Sequence, residues 1–275
     1  ILLTVAYDGS NFSGWQIQPV ARTVQGVLEE TLSKVCGKRV AVEGTSRTDA
    51  GVHALGQCVT IRGEFGIPLE KMKMVVNRIL PGDVTIRELR AVPSDFHARF
   101  NALGKTYRYR IRNCAEKDVF LRNFFYTVET PLDVEKMNQG AVRLIGTHDF
   151  KAFMAMGSTP QESTVRTIYD CRVIFEEPCN LSIYVKGNGF LYNMVRIIAG
   201  TLILVGLGKM KPESIDWILA EGERKHAGPT APPQGLYLMK VFFESEALTS
   251  PERWEETSFP GKEAGWTEMK MKMEY

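Results

Sequence analysis

The chain has 275 residues, 44% of them hydrophobic and 24% charged, with 34 Lys and Arg against 32 Asp and Glu for a formal net charge of +2. That length accommodates one large domain or two smaller ones, and the composition is that of an ordinary globular protein, with no sign of disorder over most of its length. So small a net charge does not announce a nucleic-acid binder, which would need its basic residues gathered on one face.

Residues 1–7, ILLTVAY, predict a strand, and the opening ILLTVAYDG lacks a basic segment followed by a long apolar one, so no signal peptide is expected. TVQGVLEETLSKVCG (23–37) predicts a helix. Val24, Val27, Leu28, Leu32 and Val35 recur at helical spacing, with Thr23 placed to cap it and Gly37 to stop it. Strands over 39–44 and 56–63 flank the loop EGTSRTDAGVHALGQ. A helix over 69–80 stops at Pro81-Gly82, and 83–92 returns as a strand. The order β-α-β-β-α-β is the ferredoxin-like plan. The second half repeats it: strand 106–113, helix 133–146, strands 166–176 and 181–188, an apolar helix 190–206, a helix 212–223 and a strand 236–244. The expected fold class is α+β. Two ferredoxin-like halves, 1–105 and 106–245, form a mixed, mostly antiparallel sheet with helices on one face and a cleft between them. Residues 246–275 are read as a polar tail packed on the surface or partly ordered. The apolar run 190–208 contains Asn193 and Arg196 and is interrupted by Gly200, Gly206 and Gly208, so it reads as a buried helix and not a membrane span.

Most catalytic schemes lack their residues here. There is no GxSxG, HExxH, GxxxxGK[ST] or strand-linked GxGxxG, and His53, His97, His148 and His226 are too widely spread for a metal site. Cys36, Cys58, Cys114, Cys171 and Cys179 form no CxxC pair and read as reduced thiols of a cytosolic protein, not as a disulfide framework. What remains is FHARFNALGKTYRYRIR, 96–112. Strand alternation puts Tyr107, Tyr109 and Ile111 on one face and Arg108, Arg110 and Arg112 on the other. With Arg99 and Lys105 this makes a cationic row beside aromatic rings, which suits an unpaired nucleic-acid strand. A half-buried strand with a solvated arginine face explains the stretch equally well.

Arg196 lies inside FLYNMVRIIAGTLILV, where an unpaired guanidinium would cost several kcal/mol. Either it snorkels to water from a helix edge or a carboxylate meets it. Asp49, in a loop bounded by Gly44 and Gly51, is the acid placed for close approach. An Asp held by an Arg stays ionised and serves as nucleophile or electrostatic stabiliser. The plainer reading of Asp49 is an Asx-turn.

The loop GTSRTDAGVHALGQ resembles the signature of the TruA family of tRNA pseudouridine synthases. The likeness runs through VAYDGSNFSGWQIQP, VQGVLEETL, NRILPGDV, DFHARFNALGKTYRYRI, GTHDFKAF, TVRTI, NGFLYNMVRIIAGTL and APPQGLYL, in family order from residue 1 to 245. The resemblance implies that Asp49 is the nucleophile and that Arg196 pairs with it. It further implies that Arg47 helps to hold the flipped target nucleotide and that Tyr107 stacks on its base. Arg99, Lys105, Arg108 and Arg110 are the remaining expected substrate contacts. The implied reaction isomerises uridine to pseudouridine just 3′ of the anticodon, at tRNA positions 38–40. It needs neither cofactor nor metal, and the implied enzyme is a cytoplasmic homodimer with one tRNA touching both subunits. Ala50 after the aspartate, where eukaryotic relatives carry lysine, points to the bacterial type. Two other readings of the same residues are a non-catalytic RNA-binding protein on this fold and a nucleosidase-like hydrolase that releases free uracil.

Overall fold

The structure, a computed structural model, describes residues 1–157, 162–177 and 179–249. The expected tail lies outside the described residues from position 250 onward.

In the first half, β1 (Leu2–Tyr7), α1 (Val24–Cys36), β2 (Val42–Gly44), β3 (His53–Ile61), α2 (Leu69–Ile79) and β4 (Val84–Arg90) follow in chain order. Thr23 accepts a hydrogen bond from the Gly26 amide at the start of α1, and Gly37 ends that helix in the left-handed region at φ +64°. The second half contains β5 (Gly104–Arg112), β6 (Tyr126–Thr127), α3 (Val134–Val142), β7 (Gly146–Asp149), β8 (Val165–Glu177), β9 (Asn180–Gly187), α4 (Met194–Gly206), α5 (Ser214–Glu221) and β10 (Leu236–Phe242), followed by the short α6 (Ser245–Thr249).

The ten strands among the described residues join one open sheet in the order β4-β1-β3-β10-β5-β9-β8-β7, with β2 beside β3 and β6 beside β5. Each half thus shows the ferredoxin-like order within it: β4-β1-β3-β2 in the first and β10-β5-β9-β8 in the second. The fold is α+β, and along the path every pairing is antiparallel except that of β10 with β3. That parallel contact is short, Tyr237 opposite His53 and Leu238 opposite Ala54, and β10 pairs antiparallel with β5 on its other edge. One contiguous core draws on both halves, with Leu3, Leu28, Val59, Ile183, Ile197 and Leu238 all fully buried.

Two expectations are corrected. Cys114 and Cys179 form a disulfide, while Cys36, Cys58 and Cys171 are free. Sequence spacing hid this pair because β5–β9 register brings it together: Arg112 lies opposite Asn180, and the Asn113 amide donates to the Cys179 carbonyl at 2.7 Å. The apolar helix begins at Met194 and not at 190, because Asn193 takes the left-handed conformation at φ +59° and breaks the run. Hydrophobic periodicity does not register a single backbone turn of that kind. No helix among the described residues is long and apolar enough to cross a membrane.

Candidate active site

A cavity of about 650 Å³ opens where the β2–β3 loop, the start of β5 and the segment leading into α4 converge. The loop is held by its backbone. Thr48 accepts from the Trp15 amide at 3.0 Å, and its hydroxyl lies 2.8 Å from the Tyr7 hydroxyl. Gln57 accepts from the Ser46 amide and donates to the Ser46 carbonyl at 2.6 Å. The Val52 amide donates to the Asp49 carbonyl at 3.2 Å, closing a turn in which Gly51 stands at φ +78°. Gly14, at φ +91°, lets the neighbouring loop come close; a Cβ there would fall 2.7 Å from the Thr48 carbonyl. These restraints leave the Asp49 side chain 31% exposed at the cavity wall.

Arg196 reaches the same point from the other half. Its Nη1 donates to Asp49 Oδ2 at 3.1 Å and to Asn193 Oδ1 at 2.9 Å, and its Nε donates to the Ala231 carbonyl at 2.7 Å. The first turn of α4 carries this arginine and no acid, and no side chain caps it. A cation at a helix N-terminus is disfavoured by the helix dipole, so the carboxylate of Asp49 offsets an unfavourable placement. Asp49 Oδ1 makes no hydrogen bond among the described residues, so one oxygen is held and the other faces the cavity.

Tyr107 lines the cavity with a ring only 8% exposed, packed edge-on against Phe190 with centroids 5.1 Å apart. Its hydroxyl is pushed up to about 12, mainly by burial and further by the charge of Asp49, with the Ser46 hydroxyl acting in the opposite direction. Lys105 also lines the wall. Burial, with Arg99 nearby, brings its ammonium down to about 8, and its Nζ donates to the Thr45 carbonyl at 3.4 Å. Arg47 and Arg99 are exposed at the rim. Arg47 has no hydrogen-bond or ion-pair partner among the described residues, and Arg99 lies over the exposed Phe100 ring at 5.6 Å.

Arg108 and Arg110 are placed elsewhere, on the sheet face away from the cavity. Arg108, 4% exposed, forms an ion pair with Glu176 and donates to Ser182 at 2.8 Å. Arg110 lies 3.7 Å from the centre of the Phe125 ring. Alternation along β5 requires this outcome: if Tyr107 faces the cavity, its two arginine neighbours on that strand do not. The expected cationic row is therefore split, with Arg99 and Lys105 at the cavity, where Arg47 joins them, and Arg108 and Arg110 in the opposite layer. Sequence reasoning also passed over cavity residues Trp15, Phe190, Tyr192 and Asn193. Phe190 to Asn193 were absorbed into the predicted helix, and the asparagine next to Met194 was the available sign that the helix starts later. Among the described residues no group of three or more His, Cys, Asp or Glu is arranged to hold a metal ion.

A family model described as tRNA pseudouridine synthase matches residues 3–101 and 141–244, well over half of the chain. The chain belongs to the tRNA pseudouridine synthase family. Family members named tRNA pseudouridine synthase A are similar along nearly their full lengths. The one from Ruminiclostridium cellulolyticum is 48% identical over 243 residues, covering 88% of this chain and 99% of its own. That from Caldicellulosiruptor saccharolyticus is 45% identical over 243 residues with the same coverage. The Halalkalibacterium halodurans member is 48% identical over 235 residues, covering 85% of this chain and 89% of its own. As a synthase of this family the chain is an isomerase.

Proposed function

We propose that this synthase converts uridine to pseudouridine in the anticodon stem-loop of tRNA, just 3′ of the anticodon at positions 38–40, with Asp49 as the attacking carboxylate. The observation that carries the reading is the geometry of that carboxylate: Oδ2 held by Arg196, Oδ1 open to a cavity of nucleotide size. The N1–C1′ bond of the uridine breaks, the base turns, C5 bonds to C1′ and gives up its proton, and N1 takes one up; the product has the same composition as the substrate. The target nucleotide must leave its stack, at a cost of a few kcal/mol, and a base near the loop end of a stem gives up the least pairing. Tyr107 offers the returning or waiting base a ring to stack on, while Arg47, Arg99 and Lys105 meet phosphates around it. We place the reaction in the cytoplasm, on a homodimer whose two subunits share one tRNA.

The decisive test is Asp49→Asn. The amide is isosteric, so the loop keeps its shape, and tRNA affinity is expected to stay within a few-fold and to remain salt-sensitive, because the phosphate contacts lie on other residues. Pseudouridine formation, mapped in tRNA under single-turnover conditions, is expected to fall to background. Substantial conversion by a well-folded variant overturns the assignment. Free uracil in place of pseudouridine from the wild type would indicate a hydrolase.

A further inference from the structure

Asn193 is one of two non-glycine residues with positive φ among the described residues, at +59°. Asparagine occupies the left-handed region more readily than most side chains do. Standing at the N-cap position of α4, it would ordinarily accept a hydrogen bond from the first-turn amides, yet its side chain makes no such cap. Its Oδ1 turns instead to Arg196 Nη1, the nitrogen that also donates to Asp49. The other edge of the guanidinium is fixed by Ala231, whose carbonyl accepts from Nε and whose amide donates to the Arg196 carbonyl at 3.1 Å. Nη1 carries two protons, and Asn193 and Asp49 take one each. Without Asn193 the plane of the fork is pinned at Nε alone and the Nη1–Asp49 contact is free to swing.

We propose that Asn193 is a positioning residue: its left-handed backbone aims Oδ1 at Arg196 and thereby fixes the direction from which Arg196 holds Asp49. The inference rests on the reading of Asp49 as the attacking group, and Asn193 acts on the reaction only through Arg196.

Asn193→Gly isolates the side chain, since glycine adopts the same backbone without strain and lacks Oδ1. This variant is expected to keep the melting temperature and tRNA affinity of the wild type and to lose roughly tenfold or more in single-turnover rate, the scale of loss that follows from a misplaced reacting group. Asn193→Ala is expected to show the same rate loss and, in addition, a lower melting temperature. In an Arg196→Lys background, which has no fork to orient, Asn193→Gly is expected to cost nothing further. A purely structural residue would instead give the same loss in both backgrounds. Wild-type turnover in Asn193→Gly, or equal losses in both backgrounds, overturns the proposal. The Nη1–H resonance of Arg196 gives a readout independent of turnover: its exchange with solvent is expected to quicken in Asn193→Gly. If the wild type forms no pseudouridine, the functional reading fails on its own, and unchanged exchange of that resonance then overturns the positioning role separately.

Discussion

Lys105 shows how burial at the cavity changes a single side chain. Burial holds its ammonium at about 8, and below that pH the protein carries a charge that its surroundings poorly solvate. Between about pH 8 and the ordinary lysine value near 10.4 the unfolded chain binds the extra proton and the folded one does not. This residue's contribution to stability therefore rises with pH across that window, and the penalty is fully present below it. The slope of log tRNA affinity against log salt is expected to be shallower by about one unit at pH 9 than at pH 7, and Lys105→Arg to remove the difference. Tyr107 is tested by ring content: Tyr107→Phe is expected to keep most of its turnover, whereas Tyr107→Leu loses the roughly 1–3 kcal/mol of base contact that a ring supplies. Equal rates for the two variants would reduce the residue to core packing. At this scale the sequence was informative where charge and burial conflict: an arginine inside an apolar run demands an acid, and Arg196 lies 3.1 Å from Asp49. It was silent on Asn193, whose proposed role depends on a left-handed dihedral angle that aims its Oδ1 at Arg196.

At the scale of elements, β5 separates residues that look alike in the one-letter code. Arg99 and Arg108 both belong to the basic stretch, yet one is exposed at the cavity rim and the other is buried against Glu176. Arg108→Ala is expected to destabilise the fold by about 2–3 kcal/mol, less than for a fully enclosed pair because Glu176 keeps contact with water, while the folded fraction binds tRNA as before. Arg99→Ala is expected to leave urea denaturation unchanged and to weaken tRNA binding. Urea melts and filter binding on the two variants separate these effects. The alternation that turns Arg108 away from Tyr107 was readable in TYRYRIR. What the sequence left undecided was which face of the strand meets the cavity, because that depends on the loop of β3 and the lead into α4, both distant in the chain. The strands and helices themselves were legible from period, caps and glycine stops, and the disulfide was not, since strand register alone brings Cys114 to Cys179.

For the whole molecule, the two halves share a core and a sheet through β10. Leu238 is fully buried and lies in register with Ala54 on one side and Tyr107 on the other. Leu238→Ala is expected to cost about 2–5 kcal/mol and to shift a single unfolding transition. Circular dichroism and hydrogen exchange measured in either half should move together. Two separate transitions would show halves that fold independently.

β10 is also the last of these ten strands to leave the ribosome. A nascent chain emerging at about 5–20 residues per second presents the Asp49 loop, and later Arg196, well before the strand that holds their halves side by side. An unfinished chain thus contains both partners of the ion pair with no strand to join the halves that carry them. Ribosome-bound chains released before Leu236 are expected to make no pseudouridine, and chains extended past Phe242 to gain activity in one step.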